Sequence, residues 1–204
     1  MEVRWFLKGT PPAAVQHWFK FDCPGQLLTS EAQAREDLYA CGDLEDYPNK
    51  FKELVPNSAR DRINLKLREG NLELKLRVKQ FGIETFIHQN DRIWSGRVEQ
   101  WRKFNQQQLK NAASNFYRTD LNWISVYKKR LQRSNRGVES ELTLVETKGR
   151  TWWTIAFEMP TDDNGGANFF CEVVEQAAKN YSGPKLLAEY SCGYAHWLDK
   201  FILS

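Results

Sequence analysis

The stretch INLKLREGNLELKLRVK, residues 63–79, alternates apolar and polar positions almost without a break. Leu65, Leu67, Leu72, Leu74 and Leu76 alternate with Lys66, Arg68, Glu73, Lys75 and Arg77. A period of two is that of a β-strand with two unlike faces. Glu69-Gly70-Asn71 interrupts the pattern, which predicts a turn joining two antiparallel strands. The apolar face needs only a core to cover. The other face is mostly Lys and Arg, although a face that merely meets water tolerates any polar residue. Three arrangements satisfy this pattern. One is an open antiparallel sheet with a wet charged face. Another is a barrel that turns the charged face inward. The third is a lipocalin-like barrel that holds an apolar ligand against the leucines. The direction in which Leu65 and Lys66 point separates them.

The same alternation recurs on both sides of this hairpin. Glu2–Lys8 reads as a first strand. Thr10 is placed to cap a helix with Pro11 and Pro12 in its first turn, running to about Phe21, and Cys23-Pro24-Gly25 ends it. Arg35–Ala40 reads as a short strand, and residues 42–60, rich in Asp, Glu, Pro and Asn, as a loop. Arg92–Phe104 and Leu121–Arg133 read as strands, with 105–116 open between helix and loop. Val138–Glu146 and Thr151–Met159 form a second expected hairpin, followed by a loop at 162–166. Phe169, Val173 and Ala177, at four-residue steps, predict a helix to about Asn180. From Lys185 onward strand and helix are equally compatible. Short turns between consecutive strands imply an antiparallel sheet, and closure into a ring removes its exposed edges. The expected fold is therefore α+β, a mostly antiparallel β-barrel or tunnel of about eight strands with a few flanking helices. One domain is expected to span residues 1–204.

Composition excludes several functions. A net charge of +3 is too small for a generally basic nucleic-acid binder, so any cationic site must come from clustering. Cys23, Cys41, Cys171 and Cys192 form no CxxC pair and have no nearby His at zinc spacing, so free thiols in a reducing compartment are expected. MEVRWFLKG lacks the apolar run of a signal peptide, and no stretch reaches the ~18 apolar residues of a membrane span. A cytoplasmic location follows as the expectation, with no membrane partner. There is no GxxxxGK[ST], and His17, His88 and His196 are scattered without a catalytic spacing. Trp152-Trp153 reads as packing. SCGYAHWL, 191–198, is unusually aromatic and reads as a segment packed on the barrel.

Read as a map, the alternation gathers the charges. Lys66, Arg68, Lys75 and Arg77 share one face of the first hairpin, and Lys128 and Arg130 share a face on the strand at 121–133. Glu139 and Glu141 share a face with Thr143, and Glu158 falls with Thr154 and Trp152. Inward cations repel one another unless an anion binds between them. Carboxylates on neighbouring strands suit a hard cation such as Mg²⁺. The two sets together suit metal-bridged phosphate binding.

In order, EVRWF, REDLY, INLKLREGNLELKLR, VYKKR and GVESELTLVETKGRTWWTIAFE resemble the CYTH superfamily, the triphosphate tunnel metalloenzymes, over roughly residues 2–158. The resemblance implies an antiparallel tunnel with a charged interior. It implies binding, and metal-dependent hydrolysis, of a triphosphate or other small polyanionic phosphate compound. Lys66, Arg68, Lys75, Arg77, Lys128 and Arg130 would hold phosphates. Glu2, Glu139, Glu141 and Glu158 would hold Mg²⁺ or Mn²⁺. The family pattern ExExK on the first strand is broken, however. Glu2, Arg4 and Phe6 occupy its positions, with Lys8 one step later, so a cation replaces one carboxylate and an aromatic replaces the lysine. This departure implies weak or absent turnover, and the alternative is a barrel that binds an anion without hydrolysing it.

Overall fold

The computed structural model describes residues 1–41, 62–89, 92–104, 109, 121–160 and 166–204. The loops expected at 42–60 and 162–165, and nearly all of 105–116, lie outside them. The strands are β1 (Glu2–Lys8), β2 (Gln26–Leu27), β3 (Gln33–Cys41), β4 (Ile63–Arg68), β5 (Asn71–Gln89), β6 (Arg92–Phe104), β7 (Asn122–Asn135), β8 (Val138–Thr147) and β9 (Arg150–Glu158). The α-helices among the described residues are α1 (Ala13–His17), α2 (Gly166–Ala178) and α3 (Tyr194–Trp197).

Eight strands close a ring in the order β7-β3-β4-β5-β6-β1-β9-β8, with β8 pairing back to β7, while β2 lies outside the ring along β7. Every strand pair is antiparallel. β4 and β5 form the hairpin read from residues 63–79, closed by the two-residue turn Glu69-Gly70 with Arg68 opposite Asn71. β5 continues well past residue 79 because it pairs with β6 as far as Gln89 and Arg92. Register shifts near Val78, Phe81 and Phe86 bend that long ribbon around the ring.

The leucines point out. Leu65, Leu74 and Leu76 pack with Ile63, Phe104, Leu109 and Leu121 in an outer cluster. Lys75, which alternates with them, reaches Glu2 on β1 and Glu158 on β9. Neither strand is a neighbour of β5, so this contact crosses the interior. The charged face is therefore the lining of the barrel. The lipocalin-like alternative and the open wet sheet both fail on this point.

A second part of the outer surface lies under helices. Val3, Trp5, Trp94, Val98, Ile155 and Phe157 are buried beneath Val173, Val174 and Ala177 of α2 and beneath Trp18 and Phe19. Trp94 meets Trp5 at 5.6 Å, Trp18 at 5.8 Å and Tyr181 at 5.0 Å between ring centroids. Trp153 joins this outer core, whereas Trp152, one residue earlier, faces the interior, as alternation requires. Gly96 is the point of closest approach: a Cβ there would lie 2.6 Å from the Trp5 ring and 2.7 Å from Val3. Gly96→Ala is expected to destabilise the protein by about 1–3 kcal/mol through overpacking. Urea unfolding at constant m-value measures this, and an unchanged midpoint would show that the Trp5 ring yields freely.

Two helical expectations are corrected. Thr10 does not cap α1; Pro12 occupies the N-cap position and makes no side-chain capping bond. Beyond His17 the chain widens into a π-helical turn, Trp18–Asp22, which lets the adjacent Trp18 and Phe19 both bury. Arg133 donates from Nη1 to the Phe19 and Lys20 carbonyls, both at 2.9 Å, satisfying groups that the wide turn leaves open. The stretch after Lys185 is neither a plain strand nor a plain helix. It makes single bridges at Leu186 and Ser191 and then turns helical over Tyr194–Leu203. The four cysteines are free. No described helix is long and apolar enough to cross a membrane.

Candidate functional site

The barrel lining divides into two charge clusters. The first surrounds Asp37 on β3, which is fully buried. Its carboxylate lies 2.8 Å from Lys128 Nζ, 3.2 Å from Arg68 Nε, 3.5 Å from Arg35 Nε and 3.9 Å from Lys66 Nζ. Strand register assembles this group: β3 pairs Asp37 with Arg68 and Tyr39 with Lys66 on one side, and Arg35 with Lys128 on the other. Burial alone would raise the Asp37 carboxyl, but the Lys128 ammonium, and then Lys66, hold it well below the usual carboxylate range. Burial pushes the Lys66 ammonium down to about 8; Asp37 opposes this and Arg68 adds to it. Burial drives Lys128 well below an ordinary lysine, again against Asp37.

Four cations thus contact the Asp37 carboxylate. Glu73 adds contacts of 3.3 Å to Lys66 and 3.1 Å to Arg68. A fifth cation, Arg130, stands nearby. Burial lowers its basicity, Glu141 opposes, and Arg35 and Arg68 lower it further. The Nε atoms of Arg35 and Arg130 are buried and have no hydrogen-bond partner among the described residues. Arg130 Nη1 lies 3.7 Å from Glu141, so the cations here outnumber the nearby carboxylates while two guanidinium Nε donors make no hydrogen bond among the described residues.

The second cluster contains Glu2, Arg4, Lys75, Glu141 and Glu158. Arg4 Nε donates to Glu2 at 2.9 Å, and its Nη1 donates to Glu141 and, at 3.3 Å, to Thr154 Oγ1. Lys75 Nζ lies 2.5 Å from Glu158 and 3.6 Å from Glu2. Burial would raise the Glu141 carboxyl, but Arg4 holds it down to about 2. Arg77 is placed on Glu99 at 2.8 Å, in company with Gln80.

Each sequence-derived candidate can now be placed. Lys66, Arg68 and Lys128 converge on Asp37, and Arg130 stands beside them. Lys75 and Arg77 line the same interior but pair with carboxylates of the second region. Glu2, Glu141 and Glu158 line the interior too, while Glu139 continues their row through its register with Glu158. These carboxylates do not gather as a metal set. Among the described residues no group of three or more His, Cys, Asp or Glu side chains is placed to hold a metal ion. Arg4 and Lys75 already occupy the oxygens that Mg²⁺ or Mn²⁺ would need, so the residues present do not fit such an ion. A cavity of about 50 Å³ remains between Arg4, Arg130, Gln132, Glu139, Glu141 and Glu158, room for one or two waters.

Sequence reasoning passed over Arg35, Asp37 and Glu99 as site residues. The signal was present for the first two, because Arg35, Asp37 and Tyr39 continue the period of two. Tyr194 and Trp197 belong to SCGYAHWL, whose aromatic content points to packing on the barrel rather than to its interior, where both lie. Their rings reach the lining from a helix that follows the barrel strands in the chain.

No protein-family model matches this chain, and no curated protein matches it in sequence. Solved structures with a similar arrangement include the PH1012 protein of Pyrococcus horikoshii, 15% identical, with 96% of this chain and 98% of that one covered and a TM-score of 0.44. A conserved hypothetical protein of Pyrococcus furiosus is 15% identical over 96% and 99% of the two chains, with a TM-score of 0.43. A presumed adenylate cyclase of Bacillus halodurans is 11% identical over 99% and 97%, with a TM-score of 0.45. At these identities and scores the likenesses carry no weight for ligand or activity, which rest on the side chains of the barrel lining.

Proposed function

We propose that this chain binds a small polyanion, a triphosphate or comparable phosphate compound, in the barrel interior, and that it does so without a divalent metal. One observation carries the reading: Arg35, Lys66, Arg68 and Lys128 gather on Asp37 with only Glu73 as a second carboxylate, and the buried Nε groups of Arg35 and Arg130 make no hydrogen bond among the described residues. Phosphoryl oxygens supply the negative charge and the acceptors that this arrangement lacks, and guanidinium forks match their geometry. Metal-assisted hydrolysis has no such support, because Glu2, Glu141 and Glu158 are engaged by Arg4 and Lys75.

Thermal unfolding with tripolyphosphate, in the presence and absence of EDTA, tests this. A ligand at a hundredfold excess over its Kd adds about 2.7 kcal/mol. For a chain of this size that corresponds to about 5–10 °C. The rise is expected to be the same in EDTA and to fall by more than half in Arg35→Gln/Arg130→Gln. No rise at millimolar tripolyphosphate, or an equal rise in the double variant, would remove the proposal.

A further inference from the structure

The segment after α2 passes from the outside of the barrel to its inside. Leu186 belongs to the outer core and exchanges backbone hydrogen bonds with β6, donating to Ile93 O at 2.9 Å and accepting from Ser95 at 2.8 Å. Ser191 then bridges Trp5 on β1, and Cys192 N donates to Arg4 O at 3.1 Å. This passage exists because β1 and β6 share one registered pair, Glu2 with Glu99, and the segment lies between them beyond it. Gly193 slips past Trp101, where a Cβ would lie 3.0 Å from the ring.

Inside, two rings take up space. Trp197 stacks on Phe6 at 4.6 Å and 7°. Tyr194 stacks on Tyr39 at 5.2 Å and 19°, with the Lys128 ammonium 3.9 Å and the Arg4 guanidinium 4.9 Å from its centroid. Arg4 and Phe6, the two positions at which β1 departs from the ExExK pattern, both contact Tyr194. The β1 sequence is thus fitted to this segment rather than to a metal. The hold is partial. Among the described residues the buried Trp197 indole N–H has no hydrogen-bond partner and no side chain caps α3. A buried unsatisfied donor costs about 1–3 kcal/mol, which weakens the seated state.

We infer that Tyr194–Leu203 is a displaceable internal plug, and that a polyanion in the barrel and the seated plug exclude one another. This rests on the proposed anion site. With the plug seated, the Tyr194 ring covers the Lys128 ammonium and the Arg4 guanidinium, and its withdrawal uncovers two cations that then attract the anion. A ligand that binds only the plug-out state shifts the population toward it.

Two measurements with tripolyphosphate decide the matter. Hydrogen exchange at the amides of 194–203 is expected to speed up about tenfold on adding tripolyphosphate, with β1 and β9 unchanged. By calorimetric titration, Trp197→Ala is expected to bind about tenfold more tightly than the natural protein. Phe6→Leu removes the stacked ring while keeping a buried side chain, and it gives the same reading should Trp197→Ala fail to fold. Slower exchange at 194–203 with ligand, or binding by these variants that is unchanged or weaker, overturns the plug and leaves the anion site standing. Absence of binding in the natural protein and in both variants overturns the anion site and the plug together.

Discussion

Asp37→Asn is expected to lower the melting temperature by about 6–20 °C, with millimolar tripolyphosphate restoring part of the loss. Asn keeps the shape of the side chain and removes only its charge. Removing one partner of a buried charge group costs about 3–5 kcal/mol, because the remaining charges stay buried without compensation. Each kcal/mol moves the midpoint of a chain this long by about 2–4 °C. Here Arg35 and Lys128 lose their contact with Asp37, while Lys66 and Arg68 keep Glu73. An added polyanion replaces the missing charge from solution, which is why the variant should respond to it more than the natural protein.

The pH dependence has a defined sign. The Asp37 carboxyl is held below its unfolded value, so its stabilising contribution is present above about pH 4 and is lost as pH falls through the folded value. The natural protein should therefore lose stability on acidification, and Asp37→Asn should lack that component. Lys66 is shifted the opposite way for its type, down to about 8 from an ordinary 10.5. Between those values the unfolded chain holds more protons than the folded one, so stability rises with pH. In Asp37→Asn this rise should be larger, and the gap between the two proteins should narrow toward pH 10. Melting curves from pH 3 to 10 measure both limbs. A deficit under about 4 °C at pH 7 would show that the cations do not depend on Asp37.

Arg4→Glu is expected to be unstable without metal and to be rescued by Mn²⁺, whereas the natural protein ignores Mn²⁺. Arg4 is buried and neutralises Glu2 and Glu141 together. Burial would lower its basicity, but Glu141, and then Glu2, raise it well above the ordinary value, so it is a permanent cation in that place. Reversing its charge puts three carboxylates where one guanidinium held two, and the loss should reach about 3–5 kcal/mol or more. Three convergent carboxylates form the oxygen set that a hard divalent ion prefers. Millimolar Mn²⁺ should then raise the melting temperature of the variant by about 5–10 °C. Titration calorimetry gives the direct affinity. Equal Mn²⁺ affinity in the two proteins would mean that Arg4 does not stand in for a cation.

The alternation at 63–79, the short turns and the repeated strand pattern carried the antiparallel barrel, because strand period and turn chemistry are local properties of the chain. The same alternation sorted Lys66, Arg68, Lys75, Arg77, Lys128 and Arg130 onto common faces, and it reached the acidic row of Glu139, Glu141 and Glu158. Local pattern had no means of saying which face turned inward. A strand with one apolar and one charged face is equally regular either way, and only ring closure with helices packed outside placed the leucines outward. Nor could it show how the charges are spent. Arg4 meets Glu141 across 137 positions of sequence and Lys75 meets Glu158 across 83, so neutralisation follows from closure of the ring rather than from spacing. The sequence by itself determined the strands, their faces and the broken ExExK pattern. The tertiary structure alone decided that Asp37 gathers four cations, that Arg4 neutralises Glu2 and Glu141, and that the segment running between β1 and β6 brings Tyr194 and Trp197 onto the barrel lining, because each depends on groups that meet only when distant strands are brought together.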